Sequence, residues 1–102
     1  MQFHGFDWDE GNLAKCQKHG LTIEEIEAFF EGGFAIFPDP THSSSEIRLR
    51  AIGPTSGAHW IFCAFTVRRV NGLNFVRPIS ARYMHAREVA HYEKETAHSP
   101  NR

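Results

Sequence analysis

The sequence predicts an α+β fold: a curved antiparallel sheet of about four strands, with two N-terminal helices and one C-terminal helix on one side of it. Three features carry that reading. Thr22-Ile-Glu-Glu25 is a helix-start signature near the N-terminus. From Phe34 onward the apolar residues come in short strand-like runs, separated by glycine, proline and serine. Beyond Arg82 the residues suit a helix again.

The elements follow in order. Phe3 to Trp8 alternates apolar and polar residues and predicts a short first strand. Asp9 can cap a helix that carries Leu13 and Cys16 on one face and stops at Gly20. The Thr22 hydroxyl and the Glu25 carboxylate can each satisfy one orphan amide of the second helix, and Leu21 and Ile26 are spaced to staple its entry. Ile26, Phe29 and Phe30 give that helix its apolar stripe, and Gly32-Gly33 ends it. Phe34 to Phe37 predicts a short strand and Pro38 to Ser45 a turn-rich loop. In Ile47-Arg-Leu-Arg-Ala51 apolar residues alternate with arginines, so Arg48 and Arg50 share a face. Trp60 to Val67 is nearly all apolar, as a central strand covered on both faces requires. Asn71-Gly72 favours a tight hairpin. Leu73 to Arg82 is the last strand, with Pro78 placing it at an edge or a bulge. Met84 to Thr96 predicts the final helix.

A chain of 102 residues suits one domain, here expected over residues 1–96 with 97–102 as a flexible tail. Its apolar and charged fractions are those of a globular protein. No apolar run reaches the roughly 20 residues of a membrane span, and Met1-Gln-Phe-His4 lacks a signal-peptide pattern, so a cytoplasmic location is expected. Cys16 and Cys63 are expected as two buried thiols rather than a bridge.

The net charge of −1 conceals a division. Residues 1–46 hold nine acids against Lys15 and Lys18, whereas residues 47–92 hold seven arginines against Glu88 alone. Arginine's planar fork grips phosphate in a bidentate manner, so this half suits a polyanion or an acidic partner. Solvated strand faces would account for the charges equally well.

Three constellations could carry chemistry. Lys18-His19-Gly20 ends a helix, where cations complement the dipole; they could also hold phosphate and move a proton. Asp39-Pro-Thr-His42-Ser43 runs on to Glu46 and Arg48; His42 with Glu46 could orient Arg48, or the loop could simply satisfy its own turns. Ile79-Ser-Ala-Arg82 leads into a helix on which His85, Glu88, Val89 and Tyr92 share one face, with Arg87 and His91 to the side. Val89 in the middle of that face predicts partial burial of His85 and Tyr92. The seven histidines show no metal-ligand spacing, and no phosphate-binding glycine loop or nucleophile elbow is present, so no metal or other cofactor is expected.

Phe6-Asp-Trp8-Asp9, then Asn12, then Lys18-His19-Gly20 with Leu-Thr-Ile-Glu-Glu after it, resembles the opening of the BrnT family of toxins. Phe37-Pro-Asp-Pro-Thr-His-Ser-Ser-Ser-Glu-Ile-Arg48 through Ile52-Gly53 is similar to the family's middle stretch. Ile79-Ser-Ala-Arg82, Arg87-Glu88 and Tyr92-Glu93 look like its closing strand and helix, although Tyr83 stands where relatives commonly have a basic residue. The likeness spans about residues 6–93.

This resemblance implies a RelE-like toxin fold and a metal-independent endoribonuclease that inhibits translation. It also implies neutralisation by a BrnA-like antitoxin in a hetero-oligomer that meets DNA only through the antitoxin. In such a chemistry the RNA 2′-hydroxyl attacks the adjacent phosphorus, which calls for a base, cations and an acid. Arg82 and Arg48 are the candidates for charge stabilisation, assisted by Lys18. His19 or Glu88 would be the base and His85 or Tyr92 the acid. Arg50, Arg77 and Arg87 are candidates for further RNA phosphates. The alternative is a non-catalytic module whose arginine face only docks an antitoxin, which the pI near 6.6 favours.

Overall fold

Asp9 and Thr22 each open a helix in the computed structural model, which describes residues 2–40, 46–57 and 59–97. Helix α1 (Glu10–Gln17) starts with a reciprocal box: the Asn12 amide donates to Asp9 Oδ1 at 3.0 Å, and the Asp9 amide donates to Asn12 Oδ1 at 2.7 Å. Helix α2 (Ile23–Phe30) repeats the device with Thr22 and Glu25, at 3.1 and 3.4 Å. Such caps satisfy donors that have no partner within the helix, each worth about 1 kcal/mol. Gly20, at φ +98°, turns the chain between the two helices in a conformation a side chain would strain.

Strands β1 (Ala35–Pro38), β2 (Arg48–Pro54), β3 (Trp60–Val70) and β4 (Leu73–Tyr83) form one antiparallel sheet in that order. Asn71 and Gly72 both have positive φ, 52° and 80°, the geometry of the two-residue hairpin their identities predict. Pro78 lies opposite Phe65 at a β-bulge, so both sequence expectations for it hold: β4 ends the four-strand order, and its ladder is irregular there.

Phe3 to Trp8 departs from expectation. It makes one isolated bridge, Phe6 with Val76, and three backbone hydrogen bonds to β4 residues.

Register assigns the two faces of the sheet. Ala51, Cys63 and Ala81 lie in one row and pack with Cys16, Ile26, Phe29 and Phe30 into the core beneath α1 and α2. The row beside it, Ile52, Phe62 and Arg82, faces the other way, and α3 (Ala86–Ala97) lies over it. All three helices were expected on one side; α3 instead takes the second face. Arg82 follows core-facing Ala81 and so points away from the core, where it meets Glu88 of α3. Helix α3 includes Ala97, and the rest of the expected tail, residues 98–102, lies outside the described residues. Both cysteines are buried and unbridged. No described helix is long and apolar enough to cross a membrane.

Candidate functional site

Arg82 sits near the end of β4 with its side chain about 38 % exposed. Its guanidinium lies over the Phe62 ring, 4.7 Å from the centroid, where the ring's negative face attracts it. Nη1 and Nη2 donate to the two oxygens of Glu88, each at 2.9 Å. Glu88 also accepts the His85 amide at 3.0 Å, just before α3 begins. These donors hold the Glu88 carboxyl at a pKa of about 2, with the Arg82 hydrogen bonds as the larger cause and the His85 amide next. The same pairing raises the pKa of Arg82. A planar fork fixed against an aromatic ring and filled by two carboxylate oxygens is equally shaped for two phosphate oxygens.

Other arginines share this face. Arg48 and Arg50 precede Ile52 at two-residue steps along β2. Arg50 Nε donates to the Pro38 carbonyl at 3.2 Å, and Arg48 Nε is 3.5 Å from Asp39. His42 with Glu46 was one candidate for orienting Arg48, beside a loop that only satisfies its own turns. Asp39, from the start of the same loop, makes the contact; Glu46 is exposed, and His42 lies outside the described residues.

His85, just before α3, and Arg87, Glu88, His91 and Tyr92 on it line one open cleft. Tyr92 is half-buried with its ring 5.3 Å from Phe37, as its place beside Val89 predicts. His85 is exposed, contrary to expectation, because it precedes the helix and only its backbone is engaged there.

The remaining candidates lie apart from Arg82, although Arg77 falls in one row with Thr66 and Arg48 on the same sheet face. Lys18 and His19 are exposed at the turn between α1 and α2, in the helical layer, whereas Arg82 points from the other face. Arg77 is held by Asp9 at 2.7 Å and Asp7 at 3.3 Å, so it ties the N-terminal segment to β4. Asp9 has a lowered pKa, chiefly because the Asn12 amide donates to it and secondarily through Arg77.

Sequence reasoning missed Phe62, Phe37 and the partner of Tyr83. The Tyr83 hydroxyl donates to Glu25 at 2.8 Å, which ties the start of α2 to the end of β4 and raises the pKa of the phenol. Phe62 was hidden by the bulge. Counting back from the Val70–Leu73 closing pair puts Ile61 opposite Arg82, but the slip at Ala64/Phe65 brings Phe62 there instead.

A family model described as "Ribonuclease toxin, BrnT, of type II toxin-antitoxin system" matches residues 8–88, a span that includes Arg48, Arg50, Arg82, His85 and Glu88. No curated protein matches the chain.

Proposed function

The chain belongs to the BrnT family, the ribonuclease toxins of type II toxin–antitoxin systems, and from that premise we propose that it cuts RNA internally, without a metal ion, and so inhibits translation. Its partner is a BrnA-like antitoxin bound in a hetero-oligomer in the cytoplasm. The observation that supports this reading most is the Arg82 fork, already set in bidentate geometry on an anion and braced by Phe62.

In the proposed reaction the RNA's own 2′-hydroxyl gives its proton to a solvent water, its oxygen attacks phosphorus to form a cyclic phosphate, and the bond to the 5′-oxygen breaks. Arg82 takes the negative charge that builds on the phosphoryl oxygens, and Arg48 on the same face assists. His85, exposed beside the fork, gives a proton to the departing 5′-oxygen. Glu88 is assigned to Arg82 rather than to proton transfer, because a carboxylate with a pKa of about 2 is a weak base. Lys18 and His19, in the helical layer, are left out of the reacting set, and so is Arg77.

The test is induced expression of the wild type and of Arg82→Ala in a bacterial culture, with growth and total RNA followed together. Growth arrest and RNA loss with the wild type alone support the reading, and the purified variant should cleave on the order of 10²–10³ more slowly. Equal RNA loss in both cultures removes Arg82 from the mechanism. A second reading draws on the same contact: a fork that accepts a carboxylate from α3 could accept one from an acidic antitoxin segment. It predicts antitoxin binding with no RNA cleavage by the wild type.

A further inference from the structure

Beneath α3 the sheet carries a surface of which the proposed chemistry uses only Arg48 and Arg82 with its bracing ring. Phe37 lies opposite Arg50, and Phe62 lies between Ile52 and Arg82, so both rings belong to the arginine-bearing face. Ile52 and Ala64 are buried on this face, apart from the main core. Rings beside cations are what single-stranded nucleic acid requires, because each base has a face to stack and each phosphate a charge to neutralise.

Helix α3 fills that surface with two side chains. Glu88 and Tyr92 are four residues apart and therefore neighbours on one helical face. Glu88 places an anion in the Arg82 fork, and Tyr92 places a planar ring 5.3 Å from Phe37 at an interplanar angle of 53°. An anion and a ring held together in this way have the outline of a nucleotide. Helix α3 is held to the sheet less extensively than α1 is, so its opening costs less than opening the core.

We propose that the sheet face under α3 is a nucleotide-binding platform for single-stranded RNA, with a phosphate on Arg82 and a base against Phe37, and that Glu88 and Tyr92 occupy those places in the free protein. RNA binding then requires α3 to swing away. Met84 still donates its amide to Trp60 at 2.9 Å, so the swing begins after it, at His85. His85 consequently stays beside Arg82, where the proton is needed, whereas Tyr92 leaves with the helix. This inference rests on the RNA reading above and adds where the nucleotide sits.

The two partners of each contact should respond oppositely, which a merely structural role would not produce. The measurement is binding of a short single-stranded RNA, protected from cleavage by 2′-methoxy groups, to the full chain by fluorescence anisotropy. Glu88→Gln and Tyr92→Ala remove the occupants and should raise affinity by about tenfold, because apparent affinity is reduced by the fraction of closed molecules. Arg82→Ala and Phe37→Ala remove the platform and should lower it by about tenfold. Hydrogen exchange in residues 86–95 should quicken when RNA binds. Lower affinity in Glu88→Gln and Tyr92→Ala, or slower exchange in α3 with RNA bound, overturns the platform while leaving the ribonuclease reading intact. Absence of RNA binding by the wild type and every variant overturns both.

Discussion

The two faces of the sheet differ in what they carry and how they are covered. The helical face is closed by aromatic and aliphatic side chains: Phe30 meets Phe3, Phe6, Phe29, Phe34 and Phe65 with ring centroids 5.1 to 6.3 Å apart. The α3 face carries Arg48, Arg50 and Arg82 among a few rings and is covered by one lightly held helix. Buried apolar packing stabilises without direction, whereas a cationic face is useful only if its charges can be reached. The chain thus keeps its main core on one face and its proposed chemistry on the other.

The comparison breaks if stability and activity fail to separate between the faces. The largest effect is expected from Phe65→Ala, at a position with no exposure in the centre of the helical face. The lost packing and the cavity should cost about 3–5 kcal/mol in urea denaturation, whereas Arg82→Ala should shift the urea midpoint little. Similar midpoints for the two variants would refute the division.

A middle effect is expected from Asn12→Ala. Asn12 is buried; it completes the α1 cap and donates to the carbonyls of Asp7 at 3.0 Å and Pro78 at 2.9 Å. Its loss leaves buried acceptors without partners and should cost about 1–3 kcal/mol in thermal denaturation. Because the Pro78 bond fastens the bulge, RNA cleavage should also decline, which would make the bulge a link between the two faces. Unchanged cleavage at full folding would cut that link.

The smallest effect concerns acid. Glu88 has a folded-state pKa of about 2, below its ordinary value of 4.5, so its ionised form favours the folded state. That contribution is complete above the ordinary value and is lost as pH falls through the folded-state value. Stability should therefore decline between about pH 5 and pH 2 more in the wild type than in Glu88→Gln. With both partners partly exposed, the difference should stay within about 1 kcal/mol. Parallel acid curves would show that the Arg82–Glu88 pair adds nothing to stability.

Much of the fold was legible from local chemistry. Asp9 and Thr22 mark helix starts because a side-chain oxygen there replaces a missing intrahelical acceptor, and Asn71-Gly72 marks the hairpin because both positions need positive φ. That Arg48 and Arg50 share a face was legible from alternation within one strand; that Arg77 pairs with Asp7 and Asp9 was not, because those carboxylates lie some seventy positions earlier in the chain. The aromatic neighbours of Arg82 were not legible, since ring contacts between strands depend on register.

By itself the sequence determined the first two helix starts, the hairpin and the run of four strands, since caps, turns and periodicity act over a few neighbouring residues. Only the tertiary structure decided which way Arg82 points. Val76 faces the core, and strict alternation along β4 would send Arg82 there too. The extra residue at the Pro78 bulge shifts the alternation by one, turning Ala81 inward and Arg82 out toward α3. Pro78 announces an edge or a bulge, but the register shift itself exists only in the pairing of β4 with β3, between residues more than ten positions apart in the chain.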